Sequence, residues 1–177
     1  MPEIVLPFPG KLYESYMEAY HCDAEHVYVV TLSSKLSGSY NSAVLGKNLY
    51  MEKYGKKDIH ICDSHSASGG ETQIALKAME LEEAGHSFDE IVEELEKLRD
   101  GMKTLFVLDN LETLRKNGRL SGVKALVATT LNVKPLLEGQ EGEIVQRGQA
   151  IGIKKGLAKL AEVMVKEAVD AEGKRLV

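Results

Sequence analysis

The strongest constraint on the fold is a pattern that occurs twice in the first half of the chain. A short apolar run leads into a turn rich in hydroxyl groups and glycine, and a segment with helical periodicity follows. The first copy comprises Val27–Leu32 and the turn Ser33–Ser39, and the second comprises Ile59–Cys62 and the turn Asp63–Gly70. Strands that alternate with helices favour a parallel sheet. The chain is therefore predicted to be α/β, with a parallel sheet flanked by helices.

Both hydroxyl-rich turns follow strands, so we expect them at the same edge of the sheet, where α/β proteins bind ligands. Gly38 lets the backbone approach a ligand closely or adopt a positive φ. Ser37 or Ser39 can cap the next helix, whose free N–H groups would suit a carboxylate or a phosphate. From the turn alone, a helix cap without a ligand remains an equal alternative.

A third apolar run, Thr104–Leu108, is predicted to be another buried strand, and the character of the chain changes after Gly118. Residues 1–119 are therefore predicted to form a parallel α/β ligand-binding domain. Residues 120–177 are predicted to form part of a second domain, in which antiparallel strands combine with helices.

In the second domain, Leu131–Leu137 and Glu143–Arg147 are predicted to be strands of a hairpin. Pro135 favours an edge position or an entry to a strand for the first of them. Lys154–Asp170 has the periodicity of an amphipathic helix. The residues predicted to be buried on it are Leu157, Leu160, Ala161, Met164, Val165 and Ala168.

Composition narrows the classes of partner. The net charge of −5 argues against nucleic acid as the main partner. Cys22 and Cys62 form neither a disulfide framework nor a metal-binding motif, which indicates a reducing compartment. No apolar run approaches the roughly 20 residues of a membrane span, and no signal peptide is visible. We therefore predict a cytoplasmic protein without a membrane span, a metal or a cofactor.

The segment Thr31–Ala43 resembles, almost position for position, the most characteristic segment of the DegV family, bacterial two-domain proteins that bind fatty acids. Asp63-Ser64 with Ala67-Ser68 and Gly70 resembles the next block of that family. The later matches follow in the same order: the glycine–arginine turn in Leu111–Leu120, then Leu131–Leu137, Gly142 and Lys154-Lys155. The resemblance covers about residues 7–157.

The chain also departs from the family pattern. It lacks the first strand region with its Asp-Ser pair and the family's C-terminal end, so we expect a fragment or a truncated member. Val5–Gly10 stands where the family has a threonine-serine-glutamine-proline segment, and Ala150–Ile153 lacks an expected arginine. We therefore expect weak, partly exposed ligand binding by the chain as given.

The resemblance implies a carrier that is not an enzyme. It would bind a long-chain fatty acid and present it to a partner fatty acid kinase, which forms the acyl phosphate. The carboxylate would lie on the Ser37-Gly38 turn, the acyl chain would run into the interior between sheet and helices, and Arg119 would lie near the head group. The remaining candidate ligand-binding residues are Ser34, Ser39, Asp63 and Ser64. For Ser34, Asp63 and Ser64, bracing of the loop is the alternative to direct contact.

Two other classes of function stay open. Ser37, His65 and Asp63 could act as nucleophile, base and orienting acid of a serine hydrolase. Against this, the chain has no Gly-x-Ser-x-Gly motif, and Asp63 and His65 are only two positions apart on one turn. The other class is a protein-interaction module without a ligand.

Overall fold

The fold is taken from a computed structural model, which describes residues 12–119 and 132–169. Two compact units are distinguished, Met1–Met102 and Lys103–Val177. The departure that we noted at Val5–Gly10 lies outside the described residues, as does Leu131. The domain boundary that we predicted after residue 119 stays a prediction. The two compact units divide after Met102.

The first unit is built on two parallel strands. Its elements are α1 (Leu12–Ala19), β1 (His26–Thr31), α2 (Ser39–Tyr54), β2 (Asp58–Asp63), α3 (Gly69–Glu83) and α4 (Phe88–Gly101). The register of the strands runs from His26 opposite Asp58 to Thr31 opposite Asp63. The predicted α/β class, with a parallel sheet flanked by helices, is therefore confirmed.

Two apolar clusters hold the first unit together. One joins α1 and α2 to the strands and consists of Tyr16, Tyr20, Val29, Ala43, Tyr50 and Ile59. The other joins α3 and α4 to the strands and consists of Cys62, Ile74, Ala78, Leu81, Ile91 and Leu95. Burial of these side chains is the main favourable contribution to folding. The two clusters fix the strands, and hence the loops that leave their carboxyl ends.

The second unit contains β3 (Thr104–Val107), α5 (Glu112–Lys116), β4 (Val133–Gln140), β5 (Glu143–Ile151) and α6 (Ile153–Glu167). Its sheet has the order β3-β4-β5, and both pairings are antiparallel. The predicted hairpin of antiparallel strands is confirmed. The position of Thr104–Val107 is not the one we predicted, because this strand pairs with β4 and not with the parallel sheet. A short apolar run carries no signal for the direction of its partner strand.

Pro135 lies in β4, which is the central strand of the described sheet. The register of β3 on β4 ends at Val107 opposite Leu136, so the register partner of Pro135 is Gln149 on β5 alone. Proline has no N–H to donate and is tolerated where a strand lacks a neighbour on one side. At Pro135 the central strand is therefore locally an edge.

Helix α6 buries a narrower face than its periodicity predicts. Leu160 and Met164 are half-buried, but four residues predicted to be buried are exposed: Leu157, Ala161, Val165 and Ala168. Gly156 is buried instead, and a Cβ at that position would lie 3.0 Å from Cγ1 of Val107. The helix therefore packs on β3 along the side where glycine allows the backbones to approach.

Among the helices of residues 12–119 and 132–169, none combines the length and the apolar character needed to cross a membrane. The same residues contain no group of three or more His, Cys, Asp or Glu side chains placed to hold a metal ion.

Candidate functional site

The two hydroxyl-rich loops lie side by side at the carboxyl edge of the parallel sheet. Thr31 and Asp63, the last residues of the strands, are register partners. The ladder continues into the loops, where Ser64 N–H donates to Thr31 O (3.2 Å) and Ser33 N–H donates to Ser66 O (3.0 Å). The expectation that both turns share one edge is therefore confirmed.

The first loop is a compact turn that leads directly into α2. The carbonyl oxygen of Ser33 accepts from Leu36 N–H (2.9 Å) and from Ser37 N–H (3.0 Å). The Ser33 hydroxyl oxygen accepts from Lys35 N–H (3.2 Å), and Ser33 itself is fully buried. These bonds fix Ser37 relative to the end of β1.

Helix α2 begins at Ser39 and its N-cap residue is Gly38. We predicted that Ser37 or Ser39 caps this helix, and neither does. Gly38 O accepts the first hydrogen bond of the helix, from Ser42 N–H (3.0 Å). Ser37 Oγ instead accepts from Ser39 N–H (3.2 Å). Because this bond uses the oxygen as acceptor, the hydroxyl proton of Ser37 can be donated to an anion.

Gly38 leaves open space at this N-terminus. Its φ is −78°, which any residue can adopt, so the positive φ that we considered is not present. A Cβ at Gly38 would meet no atom of the described residues within 4 Å. Neither the backbone nor a described neighbour requires glycine here, and contact of Gly38 with a ligand stays a prediction.

Ser39 is the most unusual polar residue of the site. The residue is 4% exposed, and its Oγ has no hydrogen-bond partner among the described residues. A buried hydroxyl without a partner costs roughly 1–3 kcal/mol. A ligand with an acceptor atom at this position would remove that cost.

The second loop is braced mainly by its own atoms. The Ser64 hydroxyl donates to Ser66 O (3.1 Å) and accepts from Ser66 N–H (3.1 Å). His65 and Ser68 adopt positive φ values of 52° and 57°, which are unfavourable for residues with a Cβ. A Cβ at Gly70 would lie 2.1 Å from Ser66 Oγ, so only glycine fits there. Ser64 therefore supports the loop, and its contact with a ligand stays a prediction.

Asp63 joins the two loops. Its Oδ1 accepts from Ser34 N–H in the first loop (2.9 Å) and from His65 N–H in the second (3.4 Å). Ser34 therefore contacts Asp63 through its backbone N–H. Direct contact of either residue with a ligand stays a prediction.

Two ionisable groups of the first unit, Cys62 and Glu71, have pKa values shifted by burial. Burial raises the pKa of the Cys62 thiol to about 12, so the thiol stays protonated and unreactive. Burial also raises the pKa of Glu71 in the first turn of α3, although its hydrogen bond from Ser68 N–H opposes the shift.

The three residues of the hydrolase alternative do not form a relay. His65 Nε2 lies 3.9 Å from Asp63 Oδ2, but the described residues show no hydrogen bond between Ser37 and His65. A nucleophilic serine needs a base within hydrogen-bond reach.

Arg119 belongs to the second compact unit, where a Schellman motif positions it after α5. Gly118 has a φ of 68° and donates to Arg115 O (3.1 Å), while Arg119 N–H donates to Leu114 O (2.9 Å). The guanidinium donates to the carbonyl oxygen of Asn117. Proximity of Arg119 to a ligand head group stays a prediction. The other candidates belong to the first unit. Ser34, Ser37, Gly38 and Ser64 lie on its two loops, Ser39 is the first residue of α2, and Asp63 is the last residue of β2.

Sequence reasoning missed Ser66. Its carbonyl oxygen accepts from both Ser33 N–H and the Ser64 hydroxyl, so it links the loops at their base. The available signal was the Ser-x-Ser spacing of Ser64 and Ser66, which is typical of a hydroxyl that bonds the backbone two residues on.

Comparison with known proteins agrees with this architecture. The family model described as an uncharacterised protein of the DegV family matches residues 1–177. A DegV family protein from Ruminococcus gnavus, whose crystal structure was refined with vaccenic acid, is 56% identical. It superposes with a TM-score of 0.86 over 90% of this chain and 57% of its own.

Two streptococcal proteins are also similar. The Streptococcus pneumoniae Fatty Acid Kinase (Fak) B3 protein, solved with linoleic acid, is 35% identical, with a TM-score of 0.80 over 87% of this chain and 55% of its own. A DegV domain-containing protein of Streptococcus gordonii is 37% identical over 154 residues, 86% of this chain and 54% of that protein. The chain thus spans about half the length of these relatives. It belongs to the DegV family.

Proposed function

We propose that the chain binds a long-chain fatty acid, holds its carboxylate at the N-terminus of α2 and presents it to a partner kinase. The observation that carries this proposal is the buried Ser39 hydroxyl without a partner, next to Ser37 and to the open space at Gly38. In this proposal the Ser37 and Ser39 hydroxyl groups both donate to the carboxylate, and Gly38 leaves space beside them.

The helix itself favours a negative charge at this point. The first hydrogen bond within α2 runs from Ser42 N–H to Gly38 O, so the N–H groups of Tyr40 and Asn41 have no intrahelical acceptor. Such groups, together with the helix dipole, stabilise an anion. No carboxylate side chain lies in the first turn of α2 to take that place.

The relatives support a fatty acid as the source of the anion, since structures of three of them contain vaccenic, linoleic or heptadecanoic acid. Burial contributes about 0.8 kcal/mol per methylene, so the tail supplies most of the affinity and the head group fixes the orientation. In this proposal the tail runs into the interior between sheet and helices.

The kinase partner is proposed by analogy with the pneumococcal relative, which is named as the B3 protein of a fatty acid kinase. In such a pair the carrier positions the carboxylate and supplies no nucleophile, which agrees with the absence of a hydrogen bond between Ser37 and His65 in the described residues. We place the carrier in the cytoplasm, because Cys22 and Cys62 are both free thiols.

The proposal is tested by titrating delipidated protein with vaccenic acid and with its methyl ester. The ester keeps the tail but lacks the charge, so we expect it to bind at least about tenfold more weakly. Ser37→Ala is expected to weaken binding of the acid about ten- to a hundredfold, since a hydrogen bond to a charged group is lost. Ser15→Ala, at an exposed serine of α1, is the matched control.

Equal affinity for the acid and the ester would show that the carboxylate is not recognised. Absence of binding by either would favour the interaction module. Unchanged affinity of Ser37→Ala, with the fold intact, would remove Ser37 from the site.

A further inference from the structure

We propose that Asp63 is a positioning residue, whose carboxylate holds the first loop in the geometry that binds the ligand and does not itself touch the ligand. The expected effect of Asp63 on ligand affinity rests on the proposed function. Its effect on the position of the first loop concerns the ligand-free protein. Of the two roles that the sequence leaves open for Asp63, contact with the ligand and bracing of the loop, we assign the second.

The contacts of Asp63 point to this role. Its Oδ1 receives two backbone N–H groups, one from each loop, at 2.9 Å from Ser34 and 3.4 Å from His65. The residue is the last of β2, so the apolar clusters on either side of the sheet fix its backbone. A carboxylate on a rigid strand can therefore fix the position of the less regular turn.

A short series of bonds leads from Asp63 to the proposed ligand site. Ser34 N–H is held by the carboxylate, and the neighbouring Ser33 O accepts from Ser37 N–H (3.0 Å). Ser37 Oγ in turn accepts from Ser39 N–H (3.2 Å). A displacement of the Ser33-Ser34 peptide would therefore move both hydroxyl groups that we assign to the head group.

Charge argues against direct contact. A carboxylate side chain repels a ligand carboxylate unless a proton or a cation lies between them, so Asp63 would weaken binding if it faced the head group. Its two N–H partners, in contrast, are the kind that favour an ionised acceptor. An asparagine oxygen could accept the same bonds without the charge, so geometry and charge can be separated by mutation.

The test compares Asp63→Ala with Asp63→Asn in two measurements. Amide hydrogen exchange of Ser34 and Ser37, followed by NMR without ligand, should be faster in Asp63→Ala than in wild type, and Asp63→Asn should restore most of the protection. Titration with vaccenic acid should show a loss of about tenfold or more for Asp63→Ala and recovery for Asp63→Asn. Circular dichroism confirms that each variant is folded, and Asp63→Asn preserves the test if Asp63→Ala does not fold.

Unchanged exchange of Ser34 and Ser37 in Asp63→Ala would overturn the positioning role, whether or not any fatty acid binds. An equal loss of affinity in both variants, with protection retained in Asp63→Asn, would assign the effect to the charge and also overturn it. A wild-type protein that binds no vaccenic acid would refute the proposed function, while the exchange measurement would still decide whether Asp63 holds the loop.

Discussion

At the scale of single residues, the serines of the two loops are chemically alike but differ in what their hydroxyl groups contact. The Ser64 hydroxyl both donates and accepts within its own loop, and the Ser37 oxygen accepts from Ser39 N–H. The Ser39 hydroxyl is buried without a partner in the described part of the chain. The three serines therefore differ in what they can donate to an anion. Without a ligand, the Ser39 hydroxyl carries the cost of a buried group that makes no hydrogen bond to the described residues.

Replacement of Ser39 by alanine should change stability and affinity in opposite directions. The variant removes a buried polar group without a partner, so the free energy of unfolding of the ligand-free protein should rise by about 1 kcal/mol. It also removes a donor to the ligand, so affinity for vaccenic acid should fall about tenfold. Urea denaturation and calorimetric titration measure the two effects.

The control for this prediction is Ser15→Ala, which reports the gain in helix propensity alone at an exposed position of α1. A Ser39→Ala variant that is less stable than wild type and binds vaccenic acid equally well would show that the hydroxyl serves the fold and not the ligand.

At the scale of elements, the first unit depends on a close approach of α1 to α2. Gly46 lies at this contact, where a Cβ would come within 2.7 Å of Tyr13 O and 2.9 Å of Tyr16 Cβ. Tyr16 of α1, Tyr20 just after α1 and Tyr50 of α2 are the tyrosines of the first apolar cluster, and all three are buried. Gly46 lies about two turns from the N-terminus of α2, where the ligand is proposed to bind.

Gly46→Ala should therefore destabilise the protein, by about 1–3 kcal/mol, because the atoms it meets belong to a neighbouring helix and cannot move independently. Gly101→Ala is the matched control, since a Cβ at the last residue of α4 meets no atom within 4 Å. Urea denaturation of both variants checks the prediction. Equal free energies of unfolding for the two would show that α1 and α2 separate without cost.

The elements also show how far the sequence determines this structure. The parallel strands and the shared edge of the two turns could be predicted, since each depends on local pattern or topology. The partner of β3 could not, because a short apolar run fits either kind of sheet. The buried face of α6 depends on Gly156, which an analysis of apolar periodicity ignores.

The candidate site was predictable in its location but not in the role of each residue. The sequence places Ser34, Ser37, Ser39 and Asp63 on the turns at one edge of the sheet. The structure has all four at that edge, although Ser39 is the first residue of α2 and Asp63 the last residue of β2. Whether a hydroxyl is satisfied by a backbone group depends on the path of the turn, which a single sequence does not reveal. The same holds for Asp63, whose two N–H partners come from different loops.

At the scale of the whole molecule, the stability of the first unit should depend on pH through His60 in β2. Its Nε2 is buried without a hydrogen-bond partner among the described residues. Burial lowers its pKa below the ordinary value of 6.5, with Lys47 and Arg99 acting in the same direction and Glu96 opposing them. The unfolded chain therefore binds a proton at His60 more readily than the folded chain does.

Because the folded pKa is lowered, the stabilising contribution of neutral His60 is complete above the unfolded pKa. It is lost as the pH falls from there through the folded value. Between about pH 7.5 and pH 5.5, wild type should lose more free energy of unfolding than His60→Gln, in which this position does not titrate. Urea denaturation at both pH values measures the difference. An identical pH dependence in the two proteins would exclude His60 as its source.

The central claim, that this DegV family chain carries a fatty acid, is tested most directly by native mass spectrometry of freshly purified protein before and after organic extraction. We predict an added mass equal to one long-chain fatty acid, its loss on extraction and its return when vaccenic acid is added. A protein that has only the mass of the bare chain before extraction, and gains none with vaccenic acid, would contradict the account.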